Sequence, residues 1–338
     1  MGTWVRKISA ERPGPARRLV CLPHAGGAAD SFAAWPRVMP EAVETLAVQY
    51  PGRRDRSDEP AAETMADLAD AIAAELAELA DLPLALFGHS MGAAVAYEVA
   101  VRLERDAGIV AETLFVSART APHRGRGNSS HLLADDDLIA EMRALSASDT
   151  AVYDDRRLWP VILPPLRADL RMIDGYRPAE VRRLRSPVVA FGGAEDRTCP
   201  PAELQTWADT TSAGFDVMTF PGGHHYLFLA GTTATAEVAR RLGAPTGSSA
   251  GRAPDAGRRL PATATERAVV RIWESRLGTA GIGADDDFFS LGGHSLAGME
   301  ILEAVTRSWN VEVSPADFYL RPTPAGLAAH IDQLAGAR

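Results

Sequence analysis

The stretch LPLALFGHSMGAAVAYEV, residues 82–99, decides how the rest of the chain is read. The apolar run LALF stops at Gly88-His89-Ser90-Met91-Gly92, and an alanine-rich helical pattern begins near Met91. A G-x-S-x-G set between a strand and a helix predicts a sharp, strained turn that exposes the Ser90 hydroxyl. The flanking glycines are needed because neighbouring chain passes too close for a β-carbon. The helix start behind the turn adds partial positive charge and free N–H groups. Interrupted by Gly-His-Ser, the stretch reads as a buried strand feeding a buried helix rather than a membrane span.

The surrounding sequence repeats that alternation. Strands are expected at RLVCLP (18–23), TLAVQY (45–50), LALF (84–87), TLFVSA (113–118), VVAFGG (188–193) and FDVMTF (215–220). An amphipathic helix is expected over AETMADLADAIAAELAEL (62–79). This is an α/β pattern with a mostly parallel sheet. Residues 122–180 break it with Gly/Ser/Arg loops, an acidic helix start and the proline-rich WPVILPPLRADL, and such an insertion commonly forms a lid.

Residues 243–260, GAPTGSSAGRAPDAGRRL, lack apolar periodicity and read as a flexible linker. They divide the chain into residues 1–242 and 261–338. The second part reads as a small all-α bundle with helices over 263–278, 295–309 and 323–335, the first capped by Thr265.

Composition narrows the function classes. The 338 residues carry a net charge of −9 with Lys7 as the lone lysine, a poor balance for nucleic acid. The arginine clusters at 53, 54 and 56 and at 182, 183 and 185 read as solvated surface or local ion pairs. Cys21 and Cys199 have no metal-like spacing, so no disulfide framework is expected. The first residues offer no apolar core for a signal peptide, and a soluble, cytoplasmic protein is expected.

A nucleophilic Ser90 needs a base and an orienting carboxylate, in the chain order Ser, Asp, His. Asp196 directly follows VVAFGG, with Asp169 in the insertion as the competitor and helix capping as its alternative role. His224 follows the last strand in FPGGHHYLF and is favoured over His225. No metal site is expected there, because adjacent side chains diverge. Oxyanion donors are expected from the N–H groups of Met91 and of Ala25, the latter in CLPHAGGAADSF (21–32), where His24 reads as a loop-shaping residue.

LPHAGG, VQYPGR, FGHSMGA, VSAR-AP, PLRADL and PGGHHYLF, in that order over residues 18–230, resemble the successive motifs of type II thioesterases. These are the editing hydrolases of nonribosomal peptide and polyketide synthases. The resemblance implies an α/β-hydrolase fold, a Ser90–Asp196–His224 triad, Ala25 and Met91 as oxyanion donors, and acyl or aminoacyl thioester substrates on carrier proteins. His225 departs from it, since that position is usually aromatic in the family.

DDDFFSLGGHSLAGMEIL, residues 285–302, is similar to the core motif of peptidyl carrier proteins. That similarity implies Ser295 as the attachment site of 4′-phosphopantetheine, modified by a phosphopantetheinyl transferase. Leu296, Met299, Ile301 and Leu302 would then supply bundle core and partner-facing surface. Helix capping is the alternative role for Ser295, but no strand precedes it and no Asp or His loop follows, which excludes a second nucleophile. Together the two resemblances imply a thioesterase–carrier didomain that works with synthase modules such as adenylation domains, on its own carrier or on others. An acyl- or aminoacyltransferase, and a carrier or docking module on a silent hydrolase scaffold, are the rival readings.

Overall fold

A computed structural model gives the architecture. It describes residues 4–9, 14–125, 127–145, 151–154, 156–178, 180–229, 232–243, 259–277, 280–286, 288, 291, 295–314, 317–318 and 323–336. The chain divides into two compact units, Met1–Ala230 with Glu237–Gly243, and Gly231–Ala236 with Ala244–Arg338.

The first unit is built on a seven-stranded sheet. Its strands are β1 (Val5–Lys7), β2 (Arg17–Leu22), β3 (Val43–Val48), β4 (Leu84–His89), β5 (Thr113–Ser117), β6 (Val188–Gly193) and β7 (Phe215–Phe220), in the order β1-β3-β2-β4-β5-β6-β7. All neighbours are parallel except β1, which pairs antiparallel with β3. Six of these strands match the expected ones within two residues, and β1 was not foreseen. Only one of its three residues is fully buried, which leaves no alternation to read. The third strand ends two residues early, at Val48, and the next carbonyl, that of Gln49, accepts from the Arg56 guanidinium at 2.8 Å.

Helix α1 (Met65–Glu78) starts where Thr64 accepts the Asp67 N–H, and it buries Leu68, Ile72 and Leu76 one turn apart. Helix α2 (Met91–Asp106) is buried along most of its length. Alanines 93, 94, 96 and 100 let it lie close to the sheet. The path runs from β2 outward to β3 and then crosses back to β4, so the winding direction reverses between β2 and β4. In open parallel sheets ligands bind in the crevice outside the carboxyl ends of strands at such a reversal. Ser90 and the loop after Leu22 lie there.

The insertion between β5 and β6 holds α3 (Asp135–Leu145), the short α4 (Ala151–Asp154) and α5 (Trp159–Gly175). WPVILPPLRADL is helical despite Pro164 and Pro165 inside it. Leu138, Ile139, Met142, Leu163 and Leu166 form a separate apolar cluster with Ala25 packed against it, so the insertion sits on the loop after β2. Two further helices, the short α6 (Pro201–Leu204) and α7 (Ala234–Gly243), complete the elements before the linker stretch.

The second unit is a bundle of α8 (Ala264–Leu277), α9 (Ser295–Trp309) and α10 (Pro324–Gly336). Trp273, Phe288 and Phe318 meet edge to face at its centre, with Val269, Ile301, Val305, Leu327 and Ile331 around them. Thr263, not Thr265, caps α8. Its hydroxyl accepts the Glu266 N–H at 3.0 Å while Glu266 reaches back to the Thr263 N–H at 3.1 Å, a reciprocal box. Thr265 instead donates to Asp332. The expected linker falls largely on residues 244–258, outside the described residues. Arg259 already pairs with Glu266 and Asp285. Among the described residues no helix is long and apolar enough to cross a membrane.

Candidate active site

Ser90 follows the last residue of β4 with φ 54° and ψ −118°, a left-handed backbone that costs a β-carbon-bearing residue about 1–3 kcal/mol. The strain is held from both sides. The Ser90 N–H donates to the Ser117 carbonyl at 2.7 Å and its carbonyl accepts from Ala93 at 3.0 Å. A β-carbon on Gly88 would lie 2.1 Å from the Gly92 oxygen, and one on Gly92 would lie 2.1 Å from the Leu22 oxygen. Only glycine lets the turn close and the β2 loop approach.

His224 lies in the loop after β7. Its Nε2 is 2.9 Å from Ser90 Oγ and its Nδ1 is 2.8 Å from Asp196 Oδ2. The side chain of Asp196 is fully buried. Its Oδ1 accepts the Thr198 N–H at 2.8 Å, the Thr198 hydroxyl at 2.7 Å and the Cys199 N–H at 3.1 Å. Burial alone would raise the Asp196 pKa. The hydrogen bond and charge of His224, with the two bonds from Thr198, outweigh it and hold the carboxyl below the usual carboxylate range. Asp196 therefore stays ionised and also organises its own turn, but it does not cap the following helix, whose N-cap is Pro200. The Thr198 hydroxyl is 2.8 Å from His224 Nδ1 as well, a contact no sequence motif announced.

Asp169 is engaged elsewhere. It takes Arg53 through two bonds of 2.6 and 2.7 Å, both side chains being buried, and accepts the Gly26 N–H at 2.8 Å. Arg53 also donates to the Gly27 carbonyl at 3.0 Å. Of the expected solvated surface or local ion pairs, the ion pairs are found: Arg56 with nearby Glu59 and exposed Arg54 with Asp30, whereas Arg53 and Arg56 are buried rather than solvated and Arg53 reaches the distant Asp169. This pair fixes the loop that carries Ala25. The amides of Gly26, Gly27, Ala28 and Ala29 all have acceptors. The Ala25 and Met91 amides have none among the described residues.

A second histidine layer lies behind the first. His89 is fully buried, with Nδ1 2.8 Å from Ser117 Oγ, which in turn lies 2.7 Å from the Tyr226 hydroxyl. Burial, then the neighbouring His224, pushes the His89 pKa well down. The His24 and His225 rings are 5.1 Å apart. Burial first, then nearby His224 and Arg53, lowers His24 to about 4. Burial, then His24 and His224, lowers His225 to about 3. The expectation that adjacent histidines diverge is not met. One ring nitrogen each of His89, His224 and His225 lies within 4.8 Å of the others, because the β7 loop folds both neighbours over the end of β4.

Residues 17–243 match the thioesterase domain, and residues 267–331 match the phosphopantetheine attachment site. The chain belongs to the thioesterase family. This thioesterase is 40% identical over 227 residues to the thioesterase PikA5 of Streptomyces venezuelae, covering 67% of this chain and 80% of that protein. It is 33% identical over 212 residues to the gramicidin S biosynthesis protein GrsT of Aneurinibacillus migulanus, covering 62% and 83%. Among solved structures, the type II thioesterase BorB from the borrelidin biosynthetic cluster aligns with a TM-score of 0.65 and 39% identity over 71% of this chain and 97% of that one. RedJ of Streptomyces coelicolor, from the prodiginine pathway, aligns at 0.64 and 36% over 70% and 93%. The expected α/β-hydrolase fold is met, as is the joining of a type II thioesterase to a domain for covalent 4′-phosphopantetheine. Hydrolysis of carrier-bound thioesters is the activity these relationships support.

Proposed function

We propose that Ser90, His224 and Asp196 hydrolyse acyl or aminoacyl thioesters held on the phosphopantetheine arm of a carrier protein. The setting is nonribosomal peptide or related secondary-metabolite biosynthesis in the cytoplasm. The observation that carries this reading is the continuous chain of hydrogen bonds from Ser90 Oγ through His224 to buried Asp196. His224 Nε2 takes the Ser90 proton as Oγ attacks the thioester carbonyl, and the tetrahedral oxyanion is received by the free N–H groups of Ala25 and Met91. Collapse expels the thiol, which leaves with the proton from His224, and an acyl ester remains on Ser90. Water then attacks that ester with His224 again as base, releasing the acid and restoring the serine.

The domains divide at 1–242, 243–260 and 261–338 in this reading, with Ser295 as the modified residue. Ser295 is the first residue of a fifteen-residue helix, where backbone N–H groups lack intrahelical acceptors and suit a phosphodiester. Its side chain, with those of Leu296 and Met299, lies outside the described residues, whereas Ile301 and Leu302 are buried in the bundle. The arm, when attached, supplies the thiol on which an acyl group is carried. A phosphopantetheinyl transferase and the carrier or adenylation modules of a synthase are the partners this requires.

Intact-mass spectrometry after treatment with coenzyme A and a phosphopantetheinyl transferase, followed by loading with a panel of acyl and aminoacyl thioesters, tests both halves. The expected results are a mass gain lost in Ser295→Ala and a decay of the loaded group slowed on the order of 10³-fold in Ser90→Ala. A gain that survives Ser295→Ala refutes the attachment site. Equal decay in both proteins refutes hydrolysis of the chain's own loaded arm, and release onto an added thiol in place of water would make the enzyme a transferase.

A further inference from the structure

His225 follows the triad histidine in the loop after β7, and its ring lies 5.1, 5.8 and 5.3 Å from those of His24, His89 and His224. His89 Nε2 is fully buried and has no hydrogen-bond partner among the described residues. With the proton assigned to Nδ1 and donated to Ser117 Oγ, the Nε2 lone pair is left without a donor. The His224 ring is prepared the same way, its Nδ1–H held by Asp196 and its Nε2 lone pair turned to Ser90. A histidine whose second nitrogen donates to a carboxylate or hydroxyl is the usual ligand of zinc-like ions. One ring nitrogen each of His89, His224 and His225 lies within 4.8 Å of the other two.

We propose that His89, His224 and His225 form a binding site for a borderline divalent transition metal of the zinc class, and that occupancy switches the thioesterase off. Three imidazoles and one exchangeable position are a familiar zinc set, with Zn–N of about 2.0–2.1 Å and hence nitrogens about 3.3 Å apart. The widest pair then has to close by up to about 1.5 Å. Ser90 Oγ or water fills the fourth position. The metal forms a bond to the His224 Nε2 lone pair, so that nitrogen can no longer accept the Ser90 proton. No electron is transferred, and a chelator reverses the step. The inhibition rests on the catalytic reading above, whereas the binding does not.

The test uses tag-free full-length chain carrying Ser295→Ala, so that no thiol arm competes for metal. Zinc is titrated by calorimetry, cobalt(II) by its visible spectrum, and activity is read on a p-nitrophenyl acyl ester. One ion is expected to bind, with tetrahedral cobalt bands, hydrolysis lost in parallel, and activity restored by EDTA. His225→Phe, checked for an unchanged melting temperature, is expected to weaken zinc by about tenfold or more, read as the shift in zinc concentration that halves its own metal-free activity, since even outer partners of a metal cost that much. Ser90→Ala separates the two readings. It is expected to abolish hydrolysis yet still bind zinc, and an active Ser90→Ala would sink the catalytic reading while leaving the binding result intact. Unchanged zinc affinity in His225→Phe, octahedral cobalt, or no binding by folded protein overturns the metal site.

Discussion

Removing the carboxylate of Asp169 tests how the oxyanion loop is held. Arg53 and Asp169 are both buried and joined by two short hydrogen bonds, and Asp169 also fixes the Gly26 amide, next to Ala25. Asp169→Leu strands a buried guanidinium and Arg53→Met strands a buried carboxylate, each at about 3–5 kcal/mol. Independent effects would bring the double change to about 6–10 kcal/mol. In Arg53→Met/Asp169→Leu both charges are gone. What remains is an unpaired Gly26 N–H and Gly27 carbonyl at about 1–3 kcal/mol each, or about 2–6 kcal/mol together. The expected coupling is therefore on the order of 4 kcal/mol. Urea midpoints at constant m-value measure it. Activity follows a different pattern. The Gly26 amide loses its acceptor wherever Asp169 is replaced, so kcat falls about 10²-fold in Asp169→Leu and in the double variant alike, as for a catalytic group misplaced by about 1 Å. A double variant whose cost equals the sum of the singles within about 0.5 kcal/mol, or whose kcat is wild-type, refutes the reasoning.

Gly92→Ala places a methyl group against the Leu22 and Pro23 carbonyls, and a destabilisation of about 3 kcal/mol or more with loss of esterase activity is expected, read from melting temperature and kcat. His24 is held neutral down to about pH 4 in the folded state, among His89, His225 and Phe228 with His224 and Arg53 nearby, but protonates near 6.5 when unfolded. The unfolded state thus binds more protons between those values. Stability is full above about pH 6.5 and falls on acidification by up to about 1.4 kcal/mol per pH unit. Denaturation of His24→Phe should show a slope shallower by up to that amount. Thr263→Ala removes the α8 cap and should cost the carrier bundle about 1 kcal/mol, measured by its denaturation midpoint, whereas Thr265→Ala should not disturb the cap.

The sequence by itself determined what depends on local spacing. Strand and helix periods, glycines around Ser90, and an acid and a histidine after the right strands are all written within a few neighbouring residues. They are enough for the sheet, the helical tail and the candidate triad. It could not decide contacts made between segments far apart in the chain. Arg53 reads as one more solvated or locally paired arginine until α5 delivers Asp169 from 116 positions away. Thr198 is an unmarked turn residue until the β7 loop brings His224 against it. The short β1 strand exists because β3 offers it a ladder. The histidines show the limit most clearly. Read along the chain, His224 and His225 are neighbours that should point apart, and His89 is the middle letter of a turn. The carboxyl edge of the parallel sheet packs these loops together, and only that packing turns separate imidazoles into one cluster around Ser90.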